Sequence, residues 1–340
     1  MQLIPDESPC TIALDAMGGD FGPSVIVEAA HRFVEQSCSE ILLVGDPKQL
    51  TSASDSIKVV PASEVVEMHE SPSTVVRTKP QASIRVAFQL LRNGGAQAVV
   101  STGNSGAMMV AGIMELGTIK GIARPAIAAL LPRLGRDEPV VLLDSGANVD
   151  CSAHQLLQFA LMGSHYARLL LGDEQPRVAL LSNGTEESKG NDVLRAASRI
   201  LAAERRIQFI GYIEANEVMR DRADVVVCDG FTGNVMLKAA EGTAHVVREA
   251  VEQGLRSSLR GRMGLALAAP ILRKLFRGRF DPAAYGGAPL LGLEGLAIVC
   301  HGASNSNAVL NALRVAERCH RQRLVRELST AIELLEAEMG

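Results

Sequence analysis

Short apolar runs alternate with helical patterns along nearly the whole chain, and this rhythm restricts the fold more than any other feature. Runs suited to strands fall at 11–15, 41–44, 57–60, 98–100, 126–131, 140–143, 178–181, 208–213, 225–228 and 296–300. Helical patterns lie near 24–36, 82–93, 105–116, 153–170, 191–203 and 234–256, and a further one fills 304–338. Strands this short, separated by helices, predict an α/β fold with three layers, α/β/α, around a mostly parallel sheet. At 340 residues the chain has room for one large α/β unit, taken as 10–340, or for two lobes around a cleft. In open sheets of this kind ligands sit beyond the carboxyl ends of the strands.

Three of the runs end in turns of one design. The run at 98–100 leads into Ser101-Thr102-Gly103-Asn104-Ser105-Gly106. The run at 178–181 leads into 182–191, which holds Gly184, Thr185, Ser188 and Lys189. The run at 225–228 leads into Asp229-Gly230-Phe231-Thr232-Gly233-Asn234. Turns rich in Gly, Asn, Ser and Thr aim backbone N–H groups and hydroxyls past the strand ends. A helix start adds partial positive charge, so the natural guest is an anion. Three such turns at one sheet edge imply a cleft for a phosphate-like substrate. Asp144-Ser145-Gly146-Ala147-Asn148 and His301-Gly302 also fall at strand ends.

Composition removes other classes. Aromatic residues make up 3%, Trp is absent and the net charge is −4, which disfavours nucleic acid as a partner. No apolar stretch reaches the roughly 18–20 residues that span a bilayer. Residues 1–10 lack the apolar core of a signal peptide, so the expected location is the cytoplasm. Cys10, Cys38, Cys151, Cys228, Cys300 and Cys319 have no metal-ligand spacing and are expected to be small buried thiols. Neither GxxxxGK[ST] nor GxGxxG occurs, and no metal or other cofactor is implied.

One segment departs from the acidic balance. Between Leu255 and Phe280 lie seven basic residues, Arg256, Arg260, Arg262, Arg273, Lys274, Arg277 and Arg279, and no acid. They flank an apolar centre with Leu265, Leu267, Ile271, Leu272, Leu275 and Phe276, and Pro270 is expected to bend or break the helix there. The pattern predicts a protruding basic amphipathic hairpin over 253–283. It suits a membrane surface, with arginines at anionic head groups, and it equally suits an acidic protein partner or a dimer mate.

Together these residues resemble one family, the phosphate acyltransferases of bacterial phospholipid synthesis (PlsX). The matching blocks are LDAMGGD (14–20), STGNSGA (101–107), LDSGANVDC (143–151), NGTEESKGN (183–191), DGFTGNVMLK (229–238), YGGAPLLG (285–292) and HG (301–302). They run in order over nearly the whole chain. This chain has Ser145 where the family pattern carries Val. The resemblance implies a fold like that of phosphate acetyltransferases and the isocitrate dehydrogenase group. It implies a reaction too: acyl-[acyl carrier protein] plus inorganic phosphate gives acyl phosphate and free carrier protein. It further implies a homodimer at the inner face of the membrane that hands its product to a membrane-embedded glycerol-3-phosphate acyltransferase.

The residue types suit that chemistry. Phosphate is already an adequate nucleophile near neutrality and needs capture and aim. Lys189 is the candidate cation, with Gly184, Thr185 and Ser188 around it. Donors facing the thioester oxyanion are the main catalytic requirement. Asn234, Asn104, Ser101, Gly103, Asp229, Gly230, Thr232 and Gly233 are the candidates to frame that position and the phosphate. His301 is the candidate to protonate the leaving thiolate. Each has a plainer alternative: Asn104 and Asn234 suit turns and N-caps, and Lys189 suits a solvated loop. Asp229 is expected to orient Lys189, and Glu186 or Glu187 to cap the following helix. Asp15 and Asp20 have an alternative as braces of the Gly18-Gly19 turn. Three other functions compete: a coenzyme A-dependent short-chain phosphate acyltransferase, a non-catalytic membrane scaffold for lipid enzymes, and a metal-dependent dehydrogenase of the same broad fold, which the single, dispersed aspartates disfavour.

Overall fold

The computed structural model describes residues 9–50, 56–72, 77–256, 262–264, 266–268, 270 and 282–339. These residues form two sheets. The seven-stranded sheet has a parallel run of β3 (Ile57–Pro61), β2 (Glu40–Gly45), β1 (Thr11–Asp15), β4 (Ala98–Ser101) and β12 (Leu296–Val299). It ends with β11 (Ala288–Leu291), antiparallel to both its neighbours, and β5 (Ala126–Ile127). The five-stranded sheet is ordered β6 (Ala129–Leu131), β7 (Val140–Leu143), β10 (Val225–Val227), β8 (Arg177–Ser182) and β9 (Gln208–Glu214). Only β6 runs antiparallel there. The fold is therefore α/β with mostly parallel strands, as the alternation predicts.

The run at 126–131 is not one strand. It breaks at Ala128 and donates β5 to one sheet and β6 to the other. Each half is too short to be told apart by sequence pattern. The break has a topological consequence. Ile127 pairs with Leu290 and Ala129 pairs with Leu142, one residue before the end of β7. The carboxyl edges of the two sheets therefore meet where the chain crosses. Strand β11 has no counterpart in the sequence reading, because Tyr285-Gly286-Gly287-Ala288-Pro289 looks like a turn.

The helices are α1 (Pro23–Val34), α2 (Ser83–Arg92), α3 (Ser105–Glu115), α4 (Ala153–Leu171), α5 (Asp192–Ala203) and α6 (Gly230–Arg256). They continue with the short α7 (Pro282–Tyr285), α8 (Ser306–Arg321) and α9 (Leu324–Met339). The pattern over 304–338 thus resolves into two helices, broken at Arg323, whose φ is 55°.

Helix α4 is the centre of the molecule. It starts with a capping box between Ser152 and Gln155 and stops at Gly172, whose φ of 68° an L residue rarely adopts. Its buried residues run from Leu156 to Ala167 with little interruption, because it packs into a cluster that contains one face of each sheet. Ile12, Leu14 and Val100 come from the larger sheet, and Val141, Leu180 and Val225 from the smaller. The other face of the larger sheet is covered by α2 and α3, with Phe88 and Met108 against Val99. The other face of the smaller sheet is buried in a separate cluster with Ile213, Val218 and Ala223. Leu142, Ala179, Leu181 and Val226 lie in it, and Met219, Met236 and Leu237 pack half-buried against it. Of the 27 residues of α6, only Gly230 and Gly233 are buried.

At the end of the smaller sheet away from its carboxyl edge, Asp224 joins Arg133 and Arg177. Burial opposes ionisation of Asp224, but hydrogen bonds from the two guanidiniums prevail and hold its pKa at about 2. Cys10, Cys228, Cys300 and Cys319 are buried, as expected. Cys38 is exposed, in the turn after α1 between Ser37 and Ser39, contrary to expectation.

Candidate active site

The three Gly/Asn turns do not share one sheet edge. The turn after β4 belongs to the larger sheet, and those after β8 and β10 belong to the smaller. The chain passes from the carboxyl edge of one sheet to that of the other at the Ile127–Ala129 crossing.

At the larger sheet the polar side chains are committed to the protein. Asp15 is buried at the end of β1, and its Oδ2 accepts the Ser101 hydroxyl at 2.7 Å. Ser101 Oγ in turn accepts the Gly103 N–H at 3.0 Å. Burial pushes the Asp15 carboxyl above its usual range, against the hydrogen bonds it receives from Ser83, Ser101, Met17 and Gly18. The Thr102 hydroxyl donates to the Gly18 carbonyl at 2.9 Å. A Cβ on Gly18 would lie 2.5 Å from the Gly103 nitrogen, so only glycine lets the two turns touch. Asn104 caps α3: its Oδ1 accepts the Ala107 N–H at 3.1 Å, and its Nδ2 donates to the Met68 carbonyl at 3.0 Å. What this turn leaves open is backbone. Among the described residues, no acceptor meets the N–H groups of Ser105 and Gly106. Asp20 and His301-Gly302 border the same edge, with the Asp20 N–H donating to the Gly302 carbonyl at 2.8 Å.

His301 is exposed, and its Nδ1 accepts the Ala303 N–H at 3.1 Å. With Nδ1 occupied as an acceptor, the neutral ring carries its proton on Nε2, which is then available as a donor.

Asp144 joins the two sheets. It is fully buried and accepts from the N–H groups of Ile127, Gly146, Ala147 and Asn148 and from Asn148 Nδ2. The Asn148 amide also donates to the Pro125 carbonyl at 2.8 Å. Ser145 donates its hydroxyl to the Ile127 carbonyl at 3.0 Å, so this hydroxyl is spent at the sheet crossing. The loop 144–148 seats the start of α6. The Gly230 N–H donates to the Asn148 carbonyl at 2.7 Å. A Cβ on Gly233 would lie 1.9 Å from the Asp144 carbonyl oxygen. Glycine at 230 and 233 is thus a packing requirement, and neither offers a free N–H.

Asp229 caps α6 and does not orient Lys189. Its carboxylate accepts the Thr232 N–H at 2.7 Å and the Thr232 hydroxyl at 2.8 Å. A carboxylate one residue before a helix is drawn to the open N–H groups of its first turn. Neither Glu186 nor Glu187 caps α5, for they sit upstream of its first turn. That place is taken by Asn191, which accepts the Leu194 N–H at 2.9 Å.

The turn after β8 has the unspent groups. Gly184 is buried beneath the Lys189 stem, where a Cβ would lie 2.8 Å from Lys189 Cγ. Lys189 is half-buried, and among the described residues no carboxylate pairs with it. Thr185 and Ser188 are exposed, with no hydrogen bond from either hydroxyl among the described residues. Asn234 is exposed too, beside Gly146, and its amide has no protein partner among them. Cys228 is buried and donates to the Asp144 carbonyl, and burial raises its thiol pKa far above the ordinary value. It is a packing thiol, not a nucleophile.

The turns after β8 and β10 open into a cleft of about 1530 Å³. Ser182, Asn183, Gly190, Asn191, Asp229 and Thr232 line its polar end. The described residues hold no group of three or more His, Cys, Asp or Glu side chains able to hold a metal ion. Of the basic hairpin, Arg260, Leu265, Ile271, Leu272, Arg273, Lys274, Phe276 and Arg277 lie outside the described residues. Arg262 and Leu267 are described and exposed. No helix among the described residues is long and apolar enough to cross a membrane.

Two features escaped the sequence reading. The hub role of Asp144 was signalled only by an Asp before Gly and Asn, an Asx-turn pattern. The apolar cleft beyond the turns had no linear signature.

Comparison with known proteins agrees with this architecture. The family model described as fatty acid synthesis protein matches residues 10–326. A phosphate acyltransferase from Pelotomaculum thermopropionicum is 46% identical over 333 residues, 96% of each chain. A phosphate acyltransferase from Trichodesmium erythraeum is 42% identical over 336 residues, 97% of this chain and 98% of its own. Among solved structures, a phosphotransacetylase from Streptococcus pyogenes matches with a TM-score of 0.62 at 16% identity. It covers 92% of this chain and 94% of that one, a likeness of fold. The family match and the nearly full-length identity lead to one conclusion: the chain belongs to the fatty acid synthesis protein family and is an acyltransferase.

Proposed function

We propose that the protein moves an acyl group from acyl carrier protein to inorganic phosphate, making an acyl phosphate for phospholipid synthesis. One observation carries this reading: the turn after β8, whose Asn183 and Gly190 line a cleft of about 1530 Å³, holds a half-buried lysine without a carboxylate partner and two unspent hydroxyls among the described residues. A cation without a carboxylate partner, at a turn of glycines and hydroxyls, suits a phosphate dianion.

In this mechanism Lys189, Thr185 and Ser188 hold phosphate. The open N–H groups of Ser105 and Gly106, at the start of α3, add positive field from the facing edge. A phosphate oxygen attacks the thioester carbon and forms the new C–O bond. The carbonyl oxygen becomes an oxyanion, toward which the Asn234 amide donates. Collapse breaks the C–S bond. The departing thiolate takes a proton from His301 Nε2 or from water. Ser101, Gly103, Asn104, Asp229, Gly230, Thr232 and Gly233 support this geometry through the bonds described above. The residues form one catalytic unit, 10–340, that works as a homodimer. The basic stretch 253–283 docks on the anionic membrane face or on acidic carrier protein, and exposed Arg262 and Leu267 are consistent with that use. The product then passes to a membrane glycerol-3-phosphate acyltransferase.

The test is incubation of the purified protein with palmitoyl-acyl carrier protein, with and without phosphate, and assay of acyl phosphate as the hydroxamate. Phosphate-dependent product is expected. Product from coenzyme A thioesters alone would replace the carrier-protein reading. No product from either would leave the scaffold function.

A further inference from the structure

We infer that Asn183 and Arg195 are the positioning residues of Lys189: they grip Gly190 by its N–H and its carbonyl, close the 183–190 loop at its neck, and so aim the lysine. This rests on the acyl-transfer reading above, in which Lys189 holds phosphate. That reading uses the middle of the block 183–191. It leaves the first residue of the block, and the arginine just beyond its end, without a role. The loop leaves β8 after Ser182 and rejoins the structure at Asn191, the N-cap of α5. At the neck, side chains take both backbone groups of Gly190. Its N–H donates to Asn183 Oδ1 at 3.0 Å, across seven residues. Its carbonyl accepts from Arg195 Nη1. Arg195 is half-buried and is held in turn, since its Nη2 donates to Asp192 Oδ1 in the first turn of α5. Gly190 has a φ of 79°, and a Cβ there would lie 3.0 Å from Leu194 Cβ, so the neck requires glycine.

The lysine forms the next rung. A Cβ on Gly184 would lie 2.8 Å from Lys189 Cγ and 3.0 Å from Lys189 Cδ, so the lysine stem rests on the residue that follows Asn183. Within the loop, the Lys189 N–H donates to the Glu186 carbonyl at 2.9 Å. Thr185, Glu186, Glu187 and Ser188 are exposed, and Gly184 alone of the loop is buried. Such a loop has little packing to fix its shape, so hydrogen bonds at its ends must do so. Opening the Asn183–Gly190 rung frees the Gly184–Lys189 rung beside it. The cation then spreads over many positions. What is lost is aim, on which attack by a captured nucleophile depends. Asn183 and Gly190 line the cleft, so the neck borders the space in which the reaction would run.

A double-mutant cycle on the full chain decides the question, read as kcat/KM for inorganic phosphate with palmitoyl-acyl carrier protein. Asn183→Ala and Arg195→Met should each lower it about tenfold, with the thioester KM unchanged. Arg195→Lys keeps a donor for the Gly190 carbonyl and should recover most of the loss seen in Arg195→Met. Unchanged urea midpoints separate lost aim from a lost fold. In a Lys189→Ala background, assayed at higher enzyme concentration, neither Asn183→Ala nor Arg195→Met should lower the residual rate further. A residue that acts through the lysine then has nothing left to act on. Losses that multiply with that of Lys189→Ala would overturn the inference and make the neck a structural or directly phosphate-binding element. Full activity in Asn183→Ala would overturn it too. No acyl phosphate from the wild type, or an undiminished rate in Lys189→Ala, would remove the underlying reading and the inference with it.

Discussion

The two carboxyl edges carry turns of nearly the same composition and use them in opposite ways. At the larger sheet, Asp15, Ser101, Thr102 and Asn104 hydrogen-bond to one another's turns or to the start of α3. At the smaller sheet, the side chains of Lys189, Thr185, Ser188 and Asn234 have no hydrogen-bond or ion-pair partner among the described residues. Spent polar groups fix a backbone, whereas unspent ones are open to a ligand. The distinction does not come from residue type. It comes from which turns are pressed against a neighbour, as Gly18 is against Gly103, and which face a cleft.

The largest test of this contrast is Lys189→Ala. It should lower kcat/KM for phosphate about 100- to 1,000-fold, the effect of removing a transition-state donor. Its stability in urea should change by less than about 0.5 kcal/mol, since no ion pair is lost. Full activity with an unchanged phosphate KM would remove Lys189 from the site. Next is Gly233→Ala, where the added Cβ meets the Asp144 carbonyl. A stability loss of about 3 kcal/mol is expected from denaturant midpoints. A neutral result would show that α6 is not seated on the 144–148 loop.

Acid reads the opposite end of the smaller sheet. The Asp224 pKa of about 2 lies below its ordinary 3.8, so its contribution of about 2 kcal/mol is complete above about pH 5. It fades as pH falls from near 4 toward 2. Asp224→Asn should lack that acid-dependent loss, and parallel pH profiles for the two proteins would refute the assignment. The smallest effect belongs to Asn104→Ala, which should cost about 1 kcal/mol as a lost N-cap. If its main effect were on kcat, with stability unchanged, the larger sheet would have to be counted with the reacting edge.

Much of the fold was legible because strand and helix periods are local. The run at 140–143 is a strand with the same bounds, and the helical pattern at 153–170 is α4 within one residue. The split at Ala128 was not legible, since a two-residue strand has no period to read. For the site, the turns were found from their Gly, Asn and Thr content. The same content could not separate Asp229 as a cap from Asp229 as a partner of Lys189, because both uses need a carboxylate at a strand end.

Sequence alone determined the α/β alternation, the anion-suited turns and the word-like blocks that tie the chain to its family. Each of these is set within a few residues, by side-chain spacing and backbone preference. Tertiary structure alone decided that the turns stand on two sheets, that Asp144 joins those sheets, and that only Gly230 and Gly233 of α6 are buried. Those outcomes depend on contacts between residues far apart in the chain, such as Asp144 with Ile127 and Gly233 with Asp144, and no local pattern records them.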